Sequence, residues 1–366
     1  MSREVGSQSG GSIHNFGRRT LSVMLTYQCT AECSDCGTLS SPKVKESIPL
    51  ESAMNLIEQA SDLGFSIVVF TGGEATLRWK ELLTCITRTK ELRLPNRLVT
   101  NAHWGTSRQT AKQKISDLMD AGLGEINFST GDEHVRFIPL ERVVYATSAA
   151  LDAGLRTSVM VESRLNRSVT RDSFLASFKN SFPTQELDKL SIVESPWMPI
   201  DPARTTEYDS NLAVNENTAV LQNGCDSILT TYTVQGNGQI GACCGLGMRL
   251  VPELNIGTIE SKLTTLVGEA EQDFVKILIR YVGPHRILKW AAEKDPAIAW
   301  ENKYAHHCQA CLRLYSDERV RKVILEHHSE FEDEILDTMM LQRKYINIFN
   351  PVQHTLQSIE KIVTEM

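Results

Sequence analysis

The chain has 366 residues, of which 41% are hydrophobic and 23% are charged, so it is long enough to bury a large core and to form more than one domain. Its formal net charge of -7 and the absence of a basic face exclude a nucleic-acid partner held mainly by phosphate contacts. No segment approaches the roughly 20 apolar residues that a membrane helix requires. We therefore predict a globular, cytoplasmic protein that binds neither nucleic acid nor membrane.

The predicted elements alternate between strands and helices after a polar start. Residues 1–17 are rich in Gly and Ser, which predicts a flexible tail. The predicted strands are residues 21–27, 66–72, 96–101, 124–130, 155–163 and 188–195. The predicted helices between them are residues 50–64, 78–92, 107–122, 139–154 and 170–182. Strands that alternate with helices of this length indicate right-handed crossovers and a parallel sheet.

Six strand–helix units are too few for the closed barrel of eight. The sequence therefore predicts an α/β fold, an open or partial (β/α)6 barrel over residues 18–205. In parallel α/β folds the reactive groups lie where the strands end. The first four strand ends carry, in order, a cluster of three cysteines, then Gly72, Gly73 and Glu74, then Asn101, then Ser129. We expect these groups to converge on one rim.

The three clustered cysteines, Cys29, Cys33 and Cys36, form a CxxxCxxC motif. In a reducing compartment such clusters more often bind metal or take part in catalysis than form disulfides. Three thiolates from one short loop can ligate three irons of a four-iron cluster and leave the fourth iron without a protein ligand. An open coordination position is where substrate chemistry takes place. On these three residues alone, a zinc knuckle with a distant fourth ligand is the alternative.

The CxxxCxxC motif after the first strand, the Gly-Gly-Glu segment after the second and the six-unit barrel together resemble the radical S-adenosylmethionine (SAM) enzymes. The resemblance covers residues 18–200. It implies that the three cysteines ligate a [4Fe-4S] cluster whose fourth iron chelates the amino and carboxylate groups of SAM. An electron from a donor such as flavodoxin or ferredoxin then cleaves SAM to a 5'-deoxyadenosyl radical, which abstracts a substrate hydrogen. The protein supplies placement and excludes water.

The resemblance also indicates the SAM-binding residues. Gly72, Gly73 and Glu74 correspond by position to the segment that hydrogen-bonds the methionyl amino group, where a carboxylate suits an ammonium. Asn101 and Ser129, at neighbouring strand ends, are placed to meet the ribose or the carboxylate. An ordinary role in turns and caps is the alternative for these two residues.

Two positions depart from the family's pattern. Asp35 stands where an aromatic residue usually precedes the third cysteine, and Ala75 stands where Pro is common. The first departure leaves the adenine contact open, and Tyr27 or Phe128 is available for it. Neither departure removes a cluster ligand.

A second set of cysteines follows the predicted barrel. It comprises Cys225, Cys243, Cys308 and Cys311. Two ligands around a hairpin and two in a CxxC turn can close a four-sulfur site, which is then structural or electron-carrying. Zinc is the alternative, and the tandem His306 and His307 beside the CxxC motif would suit it.

The spacing of Cys225, Gly238 and Cys243, followed by the late CxxC motif, resembles the auxiliary-cluster extension of this superfamily, called SPASM or, in its shorter form, twitch. No cysteine follows Cys311, and this count fits one auxiliary [4Fe-4S] cluster. The resemblance implies a β-hairpin and helix domain over residues 206–315 and a C-terminal helical segment over residues 316–366.

Two further residues are catalytic candidates. Cys244 can replace Cys243 as a ligand, be a buried small hydrophobe, or donate a hydrogen atom to a substrate radical, although the spacing favours Cys243 as the ligand. Asp132 follows the fourth strand and is a candidate base, with Glu133 and His134 as neighbours. Charged loop residues are usually only solvated, which is the alternative for all three.

Superfamily members with this extension crosslink ribosomally made peptides or oxidise and epimerise small molecules. We predict an oxidoreductase that crosslinks or oxidises such a peptide, because the extension and the helical end can frame a long substrate. The predicted barrel begins near residue 20, which leaves no room before it for a leader-binding domain. The first alternative is radical oxidation or epimerisation of a small molecule in natural-product or sugar biosynthesis. The second is a non-catalytic metal-binding scaffold, which would not need an open iron.

Overall fold

The computed structural model of the chain describes residues 17–196, 198 and 212–349. The tail predicted at residues 1–17 therefore lies almost entirely outside the described residues. The same is true of residues 350–366 of the predicted C-terminal segment.

Six parallel strands form the first part of the sheet, each paired with the next along the chain. They are β1 (Thr20–Met24), β2 (Ile67–Thr71), β3 (Asn96–Thr100), β4 (Glu125–Thr130), β5 (Arg156–Ser163) and β6 (Leu190–Pro196). The bounds agree with the predicted strands to within a few residues. The predicted α/β fold with a six-unit partial barrel is confirmed.

Helices lie between these strands and bury one apolar face against the sheet. They are α1 (Leu50–Asp62), α2 (Trp79–Glu91), α3 (Arg108–Ala121), the short α4 (Asp132–Val135), α5 (Leu140–Asp152) and α6 (Arg171–Ser181). In α1 the buried residues recur with the helical period at Ala53, Leu56, Ile57 and Ala60, and burial of a side chain such as Leu56 contributes about 1.5–3 kcal/mol. Helix α3 ends at Gly122, whose φ of 104° is the left-handed conformation that glycine adopts at helix ends.

The sheet continues beyond the barrel. Strand β7 (Thr231–Val234) pairs in parallel with β1, and β8 (Gln239–Gly241) and β9 (Asn255–Thr258) follow as antiparallel neighbours. The strand order is β6-β5-β4-β3-β2-β1-β7-β8-β9. The hairpin that the sequence predicts within residues 206–315 therefore extends the barrel sheet and brings the second set of cysteines next to β1.

The remaining helices cover the end of the sheet that β7–β9 form. They are α7 (Glu216–Ala219), α8 (Leu263–Ala270), α9 (Phe274–Tyr281), α10 (Pro284–Lys294), α11 (His307–Ser316), α12 (Glu318–His327) and α13 (Glu332–Phe349). Within the described ranges, no helix combines the length and the apolar character needed to cross a membrane.

Candidate active site

The connection from β1 to α1, residues 25–49, carries the CxxxCxxC motif, and we call it the cysteine loop. The end of β2 lies along the first part of this loop. The backbone N–H of Gly73 donates to the carbonyl of Thr26 at 3.0 Å. The N–H of Glu74 donates to the carbonyl of Gln28 at 2.8 Å. The Gly-Gly-Glu segment and the cysteine loop are therefore brought together by backbone pairing.

The two glycines permit this close approach. A Cβ on Gly73 would lie 2.3 Å from the carbonyl oxygen of Gln28 and 2.5 Å from that of Tyr27, well inside contact distance. Gly72 has a φ of 127°, which side-chain-bearing residues rarely adopt. A Cβ there would lie 2.6 Å from the carbonyl oxygen of Thr26. Packing of the strand end against the cysteine loop thus requires both glycines.

Gly73→Ala is expected to displace the cysteine loop and to weaken iron loading and SAM affinity by at least about 10-fold, the loss typical when groups around a metal site are moved. The measurement is iron per chain and SAM dissociation constant after anaerobic reconstitution. Gly268→Ala is the matched control, because nothing lies within 4 Å of its Cβ position and Ala is favoured over Gly inside helix α8. Equal loading and affinity in the two variants would contradict the packing requirement.

Glu74 is a buried carboxylate that joins the ends of β2 and β3. Its Oε1 accepts hydrogen bonds from the backbone N–H of Thr76 at 3.1 Å and from the hydroxyls of Thr76 and Thr100 at 2.6 and 2.8 Å. Its Oε2 accepts the N–H of Asn101 at 2.8 Å. Four donors already engage this carboxylate, so it fixes the geometry of the rim. Its contact with a methionyl amino group stays a prediction.

Asn101 faces the cysteine loop from the end of β3. Its Nδ2 donates to the hydroxyl of Thr30 at 3.1 Å and lies 3.6 Å from the sulfur of Cys29. The side chain predicted to meet SAM is therefore adjacent to the first cysteine.

Donors of the cysteine loop also point at its sulfur atoms. The backbone N–H of Ala31 donates to the sulfur of Cys29 at 3.4 Å. The N–H of Ser40 donates to the sulfur of Cys36 at 3.4 Å, and the hydroxyl of Thr38 lies 3.3 Å from the same sulfur. Such contacts stabilise thiolate ligands and tune the metal they hold.

The electrostatics of the loop favour a bound cation. Burial is the main cause that raises the pKa of the Cys29 thiol to about 12, and the Glu74 carboxylate adds to it. Burial and then the neighbouring Cys36 thiol raise the pKa of Cys33 as well. Cys29 and Cys33 can both be thiolates here only if a cation offsets their charge. The donor set therefore fits an iron–sulfur cluster with three protein ligands.

A cavity of about 210 Å³ opens beside the cysteine loop. Its walls come from the cysteine loop, the ends of β4 to β6 and the C-terminal region, and they include Asp35, Ser129, Met160, Glu162, Leu246 and His306. A larger surface groove of about 700 Å³ near the ends of α5 and α6 is lined by no residue of the cysteine loop. The smaller cavity is therefore the candidate substrate site.

His134 and Glu162 form a polar pair in the wall of this cavity. His134 Nδ1 lies 2.8 Å from Glu162 Oε2, and the buried Glu162 also accepts the backbone N–H of Glu133. Glu133 in turn accepts the N–H of Ser34 at 3.0 Å. Burial of Glu133 raises its pKa, but the Ser34 N–H and the Arg164 guanidinium outweigh this effect and hold the pKa at about 2. The pair is thus tied to the cysteine loop through an ionised carboxylate.

Asp132 is not among the residues that line the cavity. Both of its carboxylate oxygens accept the backbone N–H of Ser168 at 3.1 Å, and one also accepts that of Val169 at 3.3 Å. These contacts hold the loop that follows β5. His134, which the sequence offered only as a neighbour, lines the cavity, and so does Glu162, which no motif signals. The role of Asp132 as a base stays a prediction.

The second set of cysteines lines one small, mostly apolar cavity of about 30 Å³, the auxiliary cavity. The cysteines come from three places: the segment before β7, the segment after β8, and the first turns of α11. They are Cys225, Cys243, Cys244, Cys308 and Cys311. The four predicted ligands therefore lie together, and Cys244 is with them. Cys85 is separate and lies in the core face of α2.

Cys244 interacts with two of the other thiols. The neighbouring thiols of Cys243 and Cys308 lower the pKa of Cys244, and the Cys244 thiol raises the pKa of both neighbours. Five thiols exceed the four that a closed cluster takes, so the prediction of Cys243 as the ligand stays a prediction. In the described part of the chain, no three His, Cys, Asp or Glu side chains lie close enough to hold a single metal ion.

The two cavities share a wall. Leu246 lines both of them, and His306 lines the first while His307 and Cys308 line the second. His306 is also the N-cap of α11, because its Nδ1 accepts the backbone N–H of Cys308 at 3.1 Å. A structural change at Cys308 in the auxiliary cavity would therefore shift His306, which lies in the same helix start and lines the substrate cavity.

The structure is a parallel partial barrel with three cysteines after its first strand and a glycine-rich end on its second. Residues 23–162 match the family described as the Radical SAM superfamily, so the chain contains a radical SAM domain. The family implies a [4Fe-4S] cluster and SAM as cofactors.

The chain is similar to "Putative peptide biosynthesis protein YydG" of Bacillus subtilis (strain 168), with 24% identity over 155 residues, which is 42% of this chain and 47% of that protein. It is also similar to "Probable GTP 3',8-cyclase" of Pyrococcus horikoshii, with 33% identity over 119 residues, 32% of this chain and 36% of that protein. The similarity thus spans less than half the length of these relatives.

The chain also aligns with solved structures. Native anSMEcpe with bound AdoMet and Cp18Cys peptide aligns with a TM-score of 0.51 at 12% identity, over 83% of this chain and 98% of that chain. Streptococcus suis SuiB bound to S-adenosylmethionine aligns with a TM-score of 0.41 at 16% identity, over 70% of this chain and 68% of that chain.

Proposed function

We propose that the chain is a radical SAM oxidoreductase that abstracts hydrogen from a ribosomally made peptide and crosslinks or oxidises it. The observation that carries the proposal is the cavity of about 210 Å³ enclosed by the cysteine loop, the strand ends and the C-terminal region. When bound, the cluster and SAM supply the hydrogen-abstracting radical, with the electron coming from a donor such as flavodoxin or ferredoxin.

The chain's own residues then have distinct tasks. Cys29, Cys33 and Cys36 hold the open cluster. Gly72, Gly73, Glu74, Asn101 and Ser129 form the rim that receives SAM. The apolar side chains of Met160 and Leu246 line the cavity, and bound substrate would cover them and displace water from the reactive species.

Further support for a peptide comes from the open side of the barrel. Strand β6 is the last strand of the sheet, and no described strand pairs with its outer edge. Val193 on β6 and its partner Met160 on β5 are 47% and 45% exposed. An edge strand with exposed apolar neighbours can bind an extended chain through backbone hydrogen bonds and side-chain contacts. The names of YydG and of the anSMEcpe peptide complex concern peptides, in line with this proposal.

We also propose that Cys225, Cys243, Cys308 and Cys311 hold one auxiliary [4Fe-4S] cluster, with zinc as the alternative. Support comes from the clustering of these thiols around the auxiliary cavity and from its shared wall with the substrate cavity. The nine cysteines are unpaired, which supports a reducing, cytoplasmic location.

A small-molecule substrate is the second candidate. The cavity volume of about 210 Å³ is below the usual range of about 300–1,000 Å³ for ligand pockets, so it suits a compact molecule as well as a single side chain.

The test incubates anaerobically reconstituted protein with SAM, dithionite and the product of a short open reading frame beside the gene. We expect 5'-deoxyadenosine, methionine and a peptide whose mass is lower by a pair of hydrogens. SAM cleavage with modification of a sugar-like compound and not the peptide would favour the second candidate. No SAM cleavage under any condition would overturn the radical reaction.

Glu162→Gln is expected to lower product formation by about 10²-fold, the range for a group that serves proton transfer, because it removes the carboxylate that orients His134 Nδ1. SAM cleavage without substrate should be nearly unchanged. The assay compares modified peptide and 5'-deoxyadenosine in the same reaction. Glu194→Gln is the control, since Glu194 lies on the opposite face of the sheet, paired with Val161. Equal product yields in the two variants would remove Glu162 from the site.

A further inference from the structure

Arg249 reaches from the segment after β8 to the cysteine loop. Its guanidinium carbon lies 4.3 Å from the centroid of the Tyr27 ring, within the range of a cation–π contact. The Nη1 atom donates to the carbonyl of Leu39 at 3.1 Å and to that of Thr38 at 3.3 Å. The hydroxyl of the buried Tyr27 donates to Gln235 at 2.7 Å. This hydrogen bond fixes the ring that Arg249 contacts.

The carbonyls that Arg249 binds belong to a strained turn. Leu39 has a φ of 53°, a left-handed conformation that costs a residue with a side chain roughly 1–2 kcal/mol. Its N–H donates to the carbonyl of Cys36 at 2.9 Å, which closes the turn directly after the third cysteine. Leu39 is 36% exposed, so core packing does not account for its conformation.

A second contact clamps the same turn. The backbone N–H of Gly247 donates to the carbonyl of Gly37 at 2.8 Å. A Cβ on Gly37 would lie 2.6 Å from the side chain of Leu246. The segment that carries Arg249 is therefore pressed against residues 37–39 by backbone, apolar and guanidinium contacts.

The turn places two donors on a cluster ligand. Ser40 N–H and the Thr38 hydroxyl, on either side of Leu39, lie 3.4 and 3.3 Å from the sulfur of Cys36. Hydrogen bonds to cluster sulfurs raise the reduction potential, because they stabilise the more negative reduced state.

We propose that Arg249 is a positioning residue for the open cluster: it holds Leu39 in its left-handed conformation and so keeps the donors of Thr38 and Ser40 on Cys36. This inference rests on the proposed function only in taking Cys36 as a cluster ligand. The segment after β8 thereby helps to set the reduction potential of the open cluster, which supplies the electron to SAM.

The test uses full-length Arg249→Ala, Arg249→Lys and the double variant Arg249→Ala/Leu39→Gly. Arg249→Ala is expected to raise amide exchange in residues 37–40 by about 10-fold, to lower the midpoint potential of the open cluster, and to weaken SAM binding by about 10-fold. Arg249→Lys should behave similarly, because an ammonium cannot reproduce the stacking of a guanidinium on the Tyr27 ring. The double variant should recover potential and SAM affinity, because Gly adopts positive φ without the steric cost.

The control is Arg321→Ala, which removes an exposed arginine whose partner Glu253 is 3.7 Å away, and which should leave every readout unchanged. Unchanged potential, SAM affinity and exchange in Arg249→Ala would overturn the inference. So would a double variant that is no better than Arg249→Ala. If the wild-type chain takes up no iron, the proposed function fails, and amide exchange in residues 37–40 alone decides whether Arg249 holds the turn.

Discussion

Replacing Cys29, Cys33 or Cys36 with Ala, one at a time, should abolish the formation of 5'-deoxyadenosine from SAM. Each change leaves the open cluster one ligand short, and the groups that face the remaining sulfurs, such as Asn101 Nδ2 and Ser40 N–H, are donors that cannot replace a thiolate. The loss should exceed the roughly 100-fold that removal of an outer-shell partner can cause. The measurement is chromatographic quantification of 5'-deoxyadenosine under reducing, anaerobic conditions.

Cys85→Ala is the matched control for thiol removal. Cys85 is fully buried in α2, so the change should lower stability by about 1 kcal/mol and leave SAM cleavage intact. Substantial cleavage by any of the three loop variants would contradict the assignment of the open cluster to this loop.

Cys308→Ala is expected to stop product formation while some uncoupled SAM cleavage continues. The cysteine loop keeps all three of its ligands, but the auxiliary cavity loses one, and the N-cap His306 beside Cys308 lines the substrate cavity. Iron content, 5'-deoxyadenosine and modified peptide are measured together. Full turnover by this variant would exclude a role for the auxiliary site in the reaction.

Comparing Cys243→Ala with Cys244→Ala in the same assays identifies the ligand, because only one of them should lose auxiliary iron. The spacing from Gly238 predicts that Cys243 is the one. The variant that keeps its iron but loses product would mark a thiol that acts on the substrate.

The barrel was predictable because its signals are local. Apolar residues such as Ala53, Leu56 and Ala60 recur with the period of a helix, and short apolar runs bounded by polar turns mark each strand. The pairing of β7 with β1 was not predictable, since the partners are about 200 residues apart and their composition does not specify which edge a hairpin joins. The sequence therefore indicated a separate hairpin where the structure has one continuous sheet.

The placement of the candidate site residues was predictable where a motif fixes their spacing, and long-range contacts were missed. The three loop cysteines and the Gly-Gly-Glu segment are such motifs. The steric reason for Gly73 is visible only in the structure, where the carbonyls of the cysteine loop leave no space for a Cβ. Glu162 lies in a strand pattern like any other, and Arg249 is an isolated charge. Their roles depend on neighbours that lie far away in sequence.

The most direct test of the central claim is iron and sulfide content with electron paramagnetic resonance on anaerobically reconstituted protein, with and without SAM. Wild type is compared with a variant that has Ala at positions 29, 33 and 36. We expect about eight irons per chain in wild type and about four in the variant, with a spectrum that SAM perturbs only in wild type. Zinc in place of iron, or a wild-type spectrum that SAM leaves unchanged, would contradict an open catalytic cluster in the cysteine loop.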